Sequence, residues 1–238
     1  MNRSSAQHNI ELLTLVAHRL EELCDEVTFV GGSVTGLLIT DKAAPDVRFT
    51  VDVDCIINVI TRADYYSIAE KLRKKGFKEL IFGDHPICRW DCDGVLIDVM
   101  PVDKSVLGFS NKWYREAQQY AIHTNITDAL RIRIISAPYF LATKLEAFKD
   151  RGNQDYLLSH DLEDIVALID GRPEVTQDVL NASGTLRSYL SIEFSSLMHN
   201  DQFLQALPGH LNYSQEFDSR KKIVESRIRT IIDAGKEK

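Results

Sequence analysis

The stretch that most constrains this chain is "RFTVDVDCIINV", residues 48–59, a β-branched and apolar run that reads as a strand yet carries Asp52 and Asp54 inside it. An ionised carboxylate in a strand is costly to bury unless a cation meets it. Residues i and i+2 of a strand share a face, so Asp52 and Asp54 project together, with Val51 and Val53 expected on the other side. Two carboxylates this close repel each other and are held together by a divalent cation between them. A third acid with no local reason, Asp98, stands in the apolar run "VLIDVMPV", residues 95–102. If these two strands are neighbours, Asp52, Asp54 and Asp98 make a three-carboxylate site suited to two metal ions.

A short apolar strand, "VTFV" (27–30), runs into Gly31, Gly32 and Ser33, after which 33–39 turns helical. Such a junction offers backbone N–H groups free of side-chain bulk, which is an anion-binding geometry, and Ser33 adds a hydroxyl donor. The two features together suit a nucleoside triphosphate, its outer phosphates at 31–33 and its α-phosphate at the metals.

The spacing of apolar residues predicts helices over 9–24, 63–77, 137–151, 159–171, 174–199 and 214–234. Asp93-Gly94 predicts a hairpin between two strands of "ICRWDCDGVLIDVMPV", with Pro101 closing the second, and "LRIRII" (130–135) a short strand. Mixed α/β text therefore fills residues 1–105 and mostly helical text 106–238. The expected fold class is α/β (α+β) with a mixed sheet, followed by a mostly α-helical C-terminal domain that closes a cleft.

The formal net charge of −7 and pI of about 5.5 exclude a general nucleic-acid coat protein, although residues 220–238 carry seven Lys/Arg against three Asp/Glu. No apolar run reaches the roughly 18–20 residues that span a bilayer, so the expectation is a cytoplasmic protein with no membrane partner. Cys24, Cys55, Cys88 and Cys92 lack the spacing of a zinc site and read as reduced and structural. Lys144 lies among Phe140, Leu141, Leu145 and Phe148, so its ammonium is either directed at an anion or snorkelling to water. Asp161 is a first-turn helix acid that the dipole favours in any case.

The pattern "FVGGS…TVDVD…LIDVM" resembles the nucleotidyltransferase superfamily typified by DNA polymerase β. Within it, "RFTVDVD" (48–54) is similar to the Arg-x-Thr/Ser-x-Asp-hydrophobic-Asp run of the AbiEii/AbiGii-type and MenT-type toxin nucleotidyltransferases. "YFLATKLEAFKDR" (139–151) and "SHDLEDIVALIDGR" (159–172) are similar to the Lys…Arg…Asp-x-x-Asp helices of that branch. The match spans roughly residues 26–172. It implies a nucleotidyltransferase core that binds an NTP such as ATP with two Mg²⁺ ions, or Mn²⁺ in their place. Asp52, Asp54 and Asp98 would be the metal ligands, Asp98 also the base. Gly31, Gly32, Ser33, Arg48 and Lys144 would bind the nucleotide, with Asp161 beside Lys144 in the catalytic set. The implied reaction moves an NMP to a tRNA 3′ end or a protein hydroxyl, as the toxin of a toxin–antitoxin or phage-defence system with an antitoxin partner. The alternatives are a small-molecule (antibiotic) nucleotidyltransferase and a non-catalytic nucleotide-binding regulatory module. His160 departs from the branch, where a Lys or Arg commonly precedes that Asp.

Overall fold

A computed structural model describes residues 4–80, 86–211 and 217–236. The first helix, α1 (Ser5–Leu20), is capped by Ser4, whose hydroxyl accepts from the Gln7 amide, and it buries Leu13, Val16, Ala17 and Leu20 at helical spacing. A 3-10 turn (Glu21–Asp25) leads to β1 (Val27–Val30), then a second 3-10 turn (Gly32–Val34) and the single-turn α2 (Thr35–Leu38). There follow β2 (Asp52–Ile57), α3 (Arg62–Lys74), β3 (Lys78–Glu79), β4 (Arg89–Cys92), β5 (Val95–Pro101), α4 (Lys104–Leu107), α5 (Tyr114–Gln119), β6 (Ile122–Asn125) and β7 (Arg131–Ile134). Helices complete the chain: α6 (Ala137–Arg151), α7 (His160–Gly171), α8 (Val175–Leu180), α9 (Gly184–Met198), α10 (Asp201–Ala206) and α11 (Phe217–Ala234). Residues 214–216 of the expected last helix lie outside the described residues. No helix among the described residues is long and apolar enough to cross a membrane.

The strands form one mixed sheet in the order β3-β4-β5-β2-β1-β7-β6, as the expected fold class requires. β2 runs parallel to β5 and antiparallel to β1, while β1 is parallel to β7. Asp93 and Gly94 turn β4 into β5 with φ of 51° and 86°, the left-handed pair that a two-residue hairpin turn demands.

The chain divides into two compact units: Met1–Leu37 with Arg48–Ser136, and Leu38–Val47 with Ala137–Lys238. The expected division near residue 105 falls inside the first unit, because β6 and β7 extend the sheet beyond β1. The first unit buries Phe29, Val53, Ile56, Trp90 and Ile97 around the sheet. In the second, the 38–47 segment is fastened to the end of α7: the amides of Thr40 and Asp41 both donate to the Gly171 carbonyl, and Arg172 donates to that of Leu38. Its helices bury Phe140, Ile165, Leu190, Phe194 and Ile228.

Three local expectations change. The strand expected over 48–60 is ordered as β only from Asp52 to Ile57. Residues 48–50 are held instead by Asn9 of α1, buried, whose side chain donates to the Arg48 carbonyl and accepts from the amide and hydroxyl of Thr50. Val51, expected to share a face with Val53, is exposed while Val53 is fully buried. The long helix expected over 174–199 is two, α8 and α9, because Ser183 caps a new start by accepting from the Leu186 amide.

Candidate functional site

Sheet register brings the three acids together. In the parallel β2–β5 pair Asp54 is opposite Asp98, and in the antiparallel β1–β2 pair it is opposite Val30. On the far side of Asp98, the β4–β5 register sets Arg89. Arg89, Asp98, Asp54 and Val30 thus form a row across four adjacent strands, with Asp52 two residues along β2 on the same face. Gly31 follows Val30 directly. Its backbone has φ 73° and ψ −165°, a region open essentially to glycine alone, and a Cβ there would clash with the Asp54 carboxylate. The glycine lets the turn lie against the acid.

Arg89 ties the acids together. Its Nε donates to Asp98 Oδ1 at 2.8 Å and its Nη2 to Asp98 Oδ2 at 2.7 Å, a bidentate fork, while Nη2 also reaches Asp52 Oδ2 at 3.2 Å. The hydrogen bonds to Asp98 raise the guanidinium pKa still further, so this residue is a permanent cation. The cluster is not sealed: the side chains of Asp52 and Arg89 keep 32% and 20% of their surface, against 10% for Asp98.

The other expected residues of this unit fall around the same turn. The Arg48 guanidinium packs against Gly32 so closely that a Cβ on Gly32 would strike it. Ser33 is buried, and its hydroxyl donates back to the Val30 carbonyl at 3.5 Å. The helix after the glycines is only a 3-10 turn plus α2, so most of any anion affinity there would come from local N–H groups rather than a long helix dipole.

The donors are carboxylates, the chemistry that a hard, oxygen-seeking divalent cation selects. Among the described residues no three His, Cys, Asp or Glu side chains are already grouped to hold a metal; the guanidinium of Arg89 stands with Asp52 and Asp98 instead. The cysteines offer no softer alternative. All four are free and buried, and burial pushes the Cys55 thiol well up and Cys88 to about 12, so neither is a thiolate at neutral pH.

Lys144 and Asp161 belong to the second unit and touch each other there. Lys144 Nζ lies 3.0 Å from Asp161 Oδ1 and 2.6 Å from Asp164 Oδ2, and Arg151 completes the group with Nε and Nη2 both 3.1 Å from Asp161. Burial alone would push the Asp161 carboxyl up, but Lys144 and Arg151 outweigh it and hold the group below its ordinary value. Lys144, Asp161 and Asp164 are almost fully enclosed, with 7%, 7% and 1% of side-chain surface left. The ammonium is therefore held by two carboxylates of its own unit and does not snorkel to water.

The sequence reading missed Arg89, Asn9 and the partnership of Asp164 with Lys144. Arg89 carried the same signal as the acids, a charge in a largely apolar strand ("ICRWDC", which also holds Asp91), but its partner depends on register.

No protein-family model matches the sequence, and no curated protein is similar to it. Solved structures are. JHP933 from Helicobacter pylori is similar over 99% of this chain and 95% of its own, with 13% identity and a TM-score of 0.52. A second H. pylori structure, provisionally described as a nucleotidyltransferase, is similar over 99% of this chain and 98% of its own, with 12% identity and a TM-score of 0.51. ANT(2'')-Ia, an antibiotic-resistance factor, aligns over 81% of this chain and 96% of its own at 14% identity and a TM-score of 0.48. At these identities the two H. pylori structures establish a shared fold.

Proposed function

We propose that this chain is a nucleotidyltransferase: it transfers an NMP from an NTP to an acceptor hydroxyl and releases pyrophosphate. The observation that carries this reading is the register that sets Asp54 opposite Asp98, with Gly31 pressed against the Asp54 carboxylate. The fold shared with a structure provisionally described as a nucleotidyltransferase supports it.

Asp52, Asp54 and Asp98 would hold Mg²⁺, or Mn²⁺ in its place. When bound, such ions neutralise phosphate charge and polarise the reacting oxygens. The protein's own part is positioning. The Gly31-Gly32-Ser33 turn presents N–H groups to the triphosphate, and Arg48 adds positive charge beside Gly32. The acceptor oxygen forms a bond to the α-phosphorus while the bond to the β-phosphate oxygen breaks. Asp98 takes the hydroxyl proton, which requires that one of its oxygens be released from Arg89.

The acceptor we propose is a tRNA 3′ end or a protein hydroxyl, in the manner of the toxin branch that "RFTVDVD" resembles. The test is label transfer. Purified protein is incubated with Mg²⁺, each α-³²P-NTP in turn, and separate RNA and protein fractions, with Asp52→Ala in parallel. A labelled RNA or protein band lost in the variant is expected. Label in neither fraction would overturn the macromolecular acceptor, and label that persists in Asp52→Ala would overturn the site.

A further inference from the structure

We propose that Arg89 is a resident counter-cation that a divalent metal ion must displace from Asp52 and Asp98, so that metal affinity is set by a competition inside the site. The inference rests on the metal-dependent reading above and adds a residue that this reading did not contain.

The geometry is specific. Both Asp98 oxygens accept from Arg89, and one Asp52 oxygen accepts from the same Nη2. A metal ion at these carboxylates would need the lone pairs now directed at the guanidinium. Its two positive charges would also repel a cation a few ångströms away in a partly enclosed site. Arg89 is no loose surface side chain that happens to fall on an acid. The antiparallel β4–β5 register fixes its Cα opposite that of Asp98, and its side chain keeps only 20% of its surface. A guanidinium fork on a carboxylate is among the strongest hydrogen-bonded pairs available to a protein.

Arg89 also lines a cavity of about 540 Å³ in the same unit, together with Arg62, Tyr66, Glu79 and Ile87, toward which its side chain would turn when the ion binds. In one state Arg89 offsets the repulsion among the acids; in the other the ion does so and Asp98 becomes available as ligand and base. Arg89 acts through the acids and is a positioning residue.

The test is Mn²⁺ binding to the full chain without nucleotide, with free ion counted by electron paramagnetic resonance, for wild type, Arg89→Gln, Arg89→Lys and Asp54→Asn. Arg89→Gln is expected to bind Mn²⁺ about tenfold more tightly, which corresponds to about 1.4 kcal/mol. Arg89→Lys, with charge but no fork, should fall between it and wild type, and Asp54→Asn should lose the binding. A second readout needs no variant: the Arg89 Nε–H resonance of wild type should shift as Mg²⁺ is added. Unchanged or weaker binding in Arg89→Gln, with Asp54→Asn still abolishing it, would overturn this inference and leave the metal reading standing. So would an Nε–H resonance unmoved at saturating Mg²⁺. Absence of Mn²⁺ binding in every protein, or binding that ignores Asp54→Asn, would overturn both.

Discussion

The Arg89 cluster of the first unit and the Lys144 cluster of the second are built from the same kinds of groups, aspartates closed by a cation, yet solvent reaches them very differently. Asp52 keeps 32% of its side-chain surface and Asp98 10%, whereas Asp164 keeps 1% and Asp161 and Lys144 keep 7% each, with Arg151 the exposed member of that group. A sealed ion pair joins the helices that carry it, and breaking one partner leaves a charge stranded out of water. An open cluster held by one guanidinium can exchange that partner for a solute. The comparison teaches that a charge inside an apolar pattern is not by itself a site. The function proposed above takes the more open group as the one that meets a solute.

The largest effect is expected at the open cluster. Asp54→Asn should lower the rate of nucleotidyl transfer ~10⁴-fold in an NTP assay, because on the proposed reading the ion this carboxylate would hold supplies several kcal/mol of charge stabilisation. Its unfolding midpoint in urea should stay near that of wild type. A variant that keeps its rate would break the comparison. Lys144→Met should do the reverse, losing about 3–5 kcal/mol of stability in urea unfolding as buried Asp164 and Asp161 lose the ammonium between them, Asp161 keeping only Arg151. If the variant folds as well as wild type and instead shows a raised KM for NTP, Lys144 acts on phosphate, as the toxin-like helices imply. Gly31→Ala should cost about 2–3 kcal/mol in the same unfolding measurement, since alanine must enter a glycine-only backbone region against Asp54. Little change there would mean that the turn does not rest on the acid.

The smallest effect is a pH dependence of the sealed cluster. The Asp161 carboxyl is held below its ordinary value, so its contribution is present above the unfolded pKa of about 3.9 and is lost as pH falls through the folded one. The stability difference between wild type and Asp161→Asn should therefore shrink as pH drops below about 4. A difference constant down to pH 2 would contradict the pairing.

What the sequence made legible was local. Gly31 and the Asp93-Gly94 pair mark turns with the positive φ that such residues adopt most readily, and both turns stand where expected. Asp52, Asp54 and Asp98 announced themselves by breaking apolar strands, and α6 and α7 by the spacing of their apolar residues. What stayed hidden depends on partners distant in the chain. Asn9 lies 41 residues from Thr50, and nothing in a helix of mixed composition says that one amide side chain will hold an incoming strand. β6, "IHTN", is an edge strand with no buried residue, so it carries no apolar alternation to read. The 38–47 segment lies in sequence between two elements of the first unit, but its hydrogen bonds run to Gly171 and Arg172.

The measurement that tests the account most directly compares two labels. The protein is given Mg²⁺, total cellular RNA and protein extract, and an NTP labelled with ³²P at either the α- or the γ-phosphorus, beside Asp54→Asn. Nucleotidyl transfer predicts that the α label appears in an acceptor and the γ label in pyrophosphate, both dependent on Asp54. The γ label in an acceptor would show phosphoryl transfer instead and contradict the account.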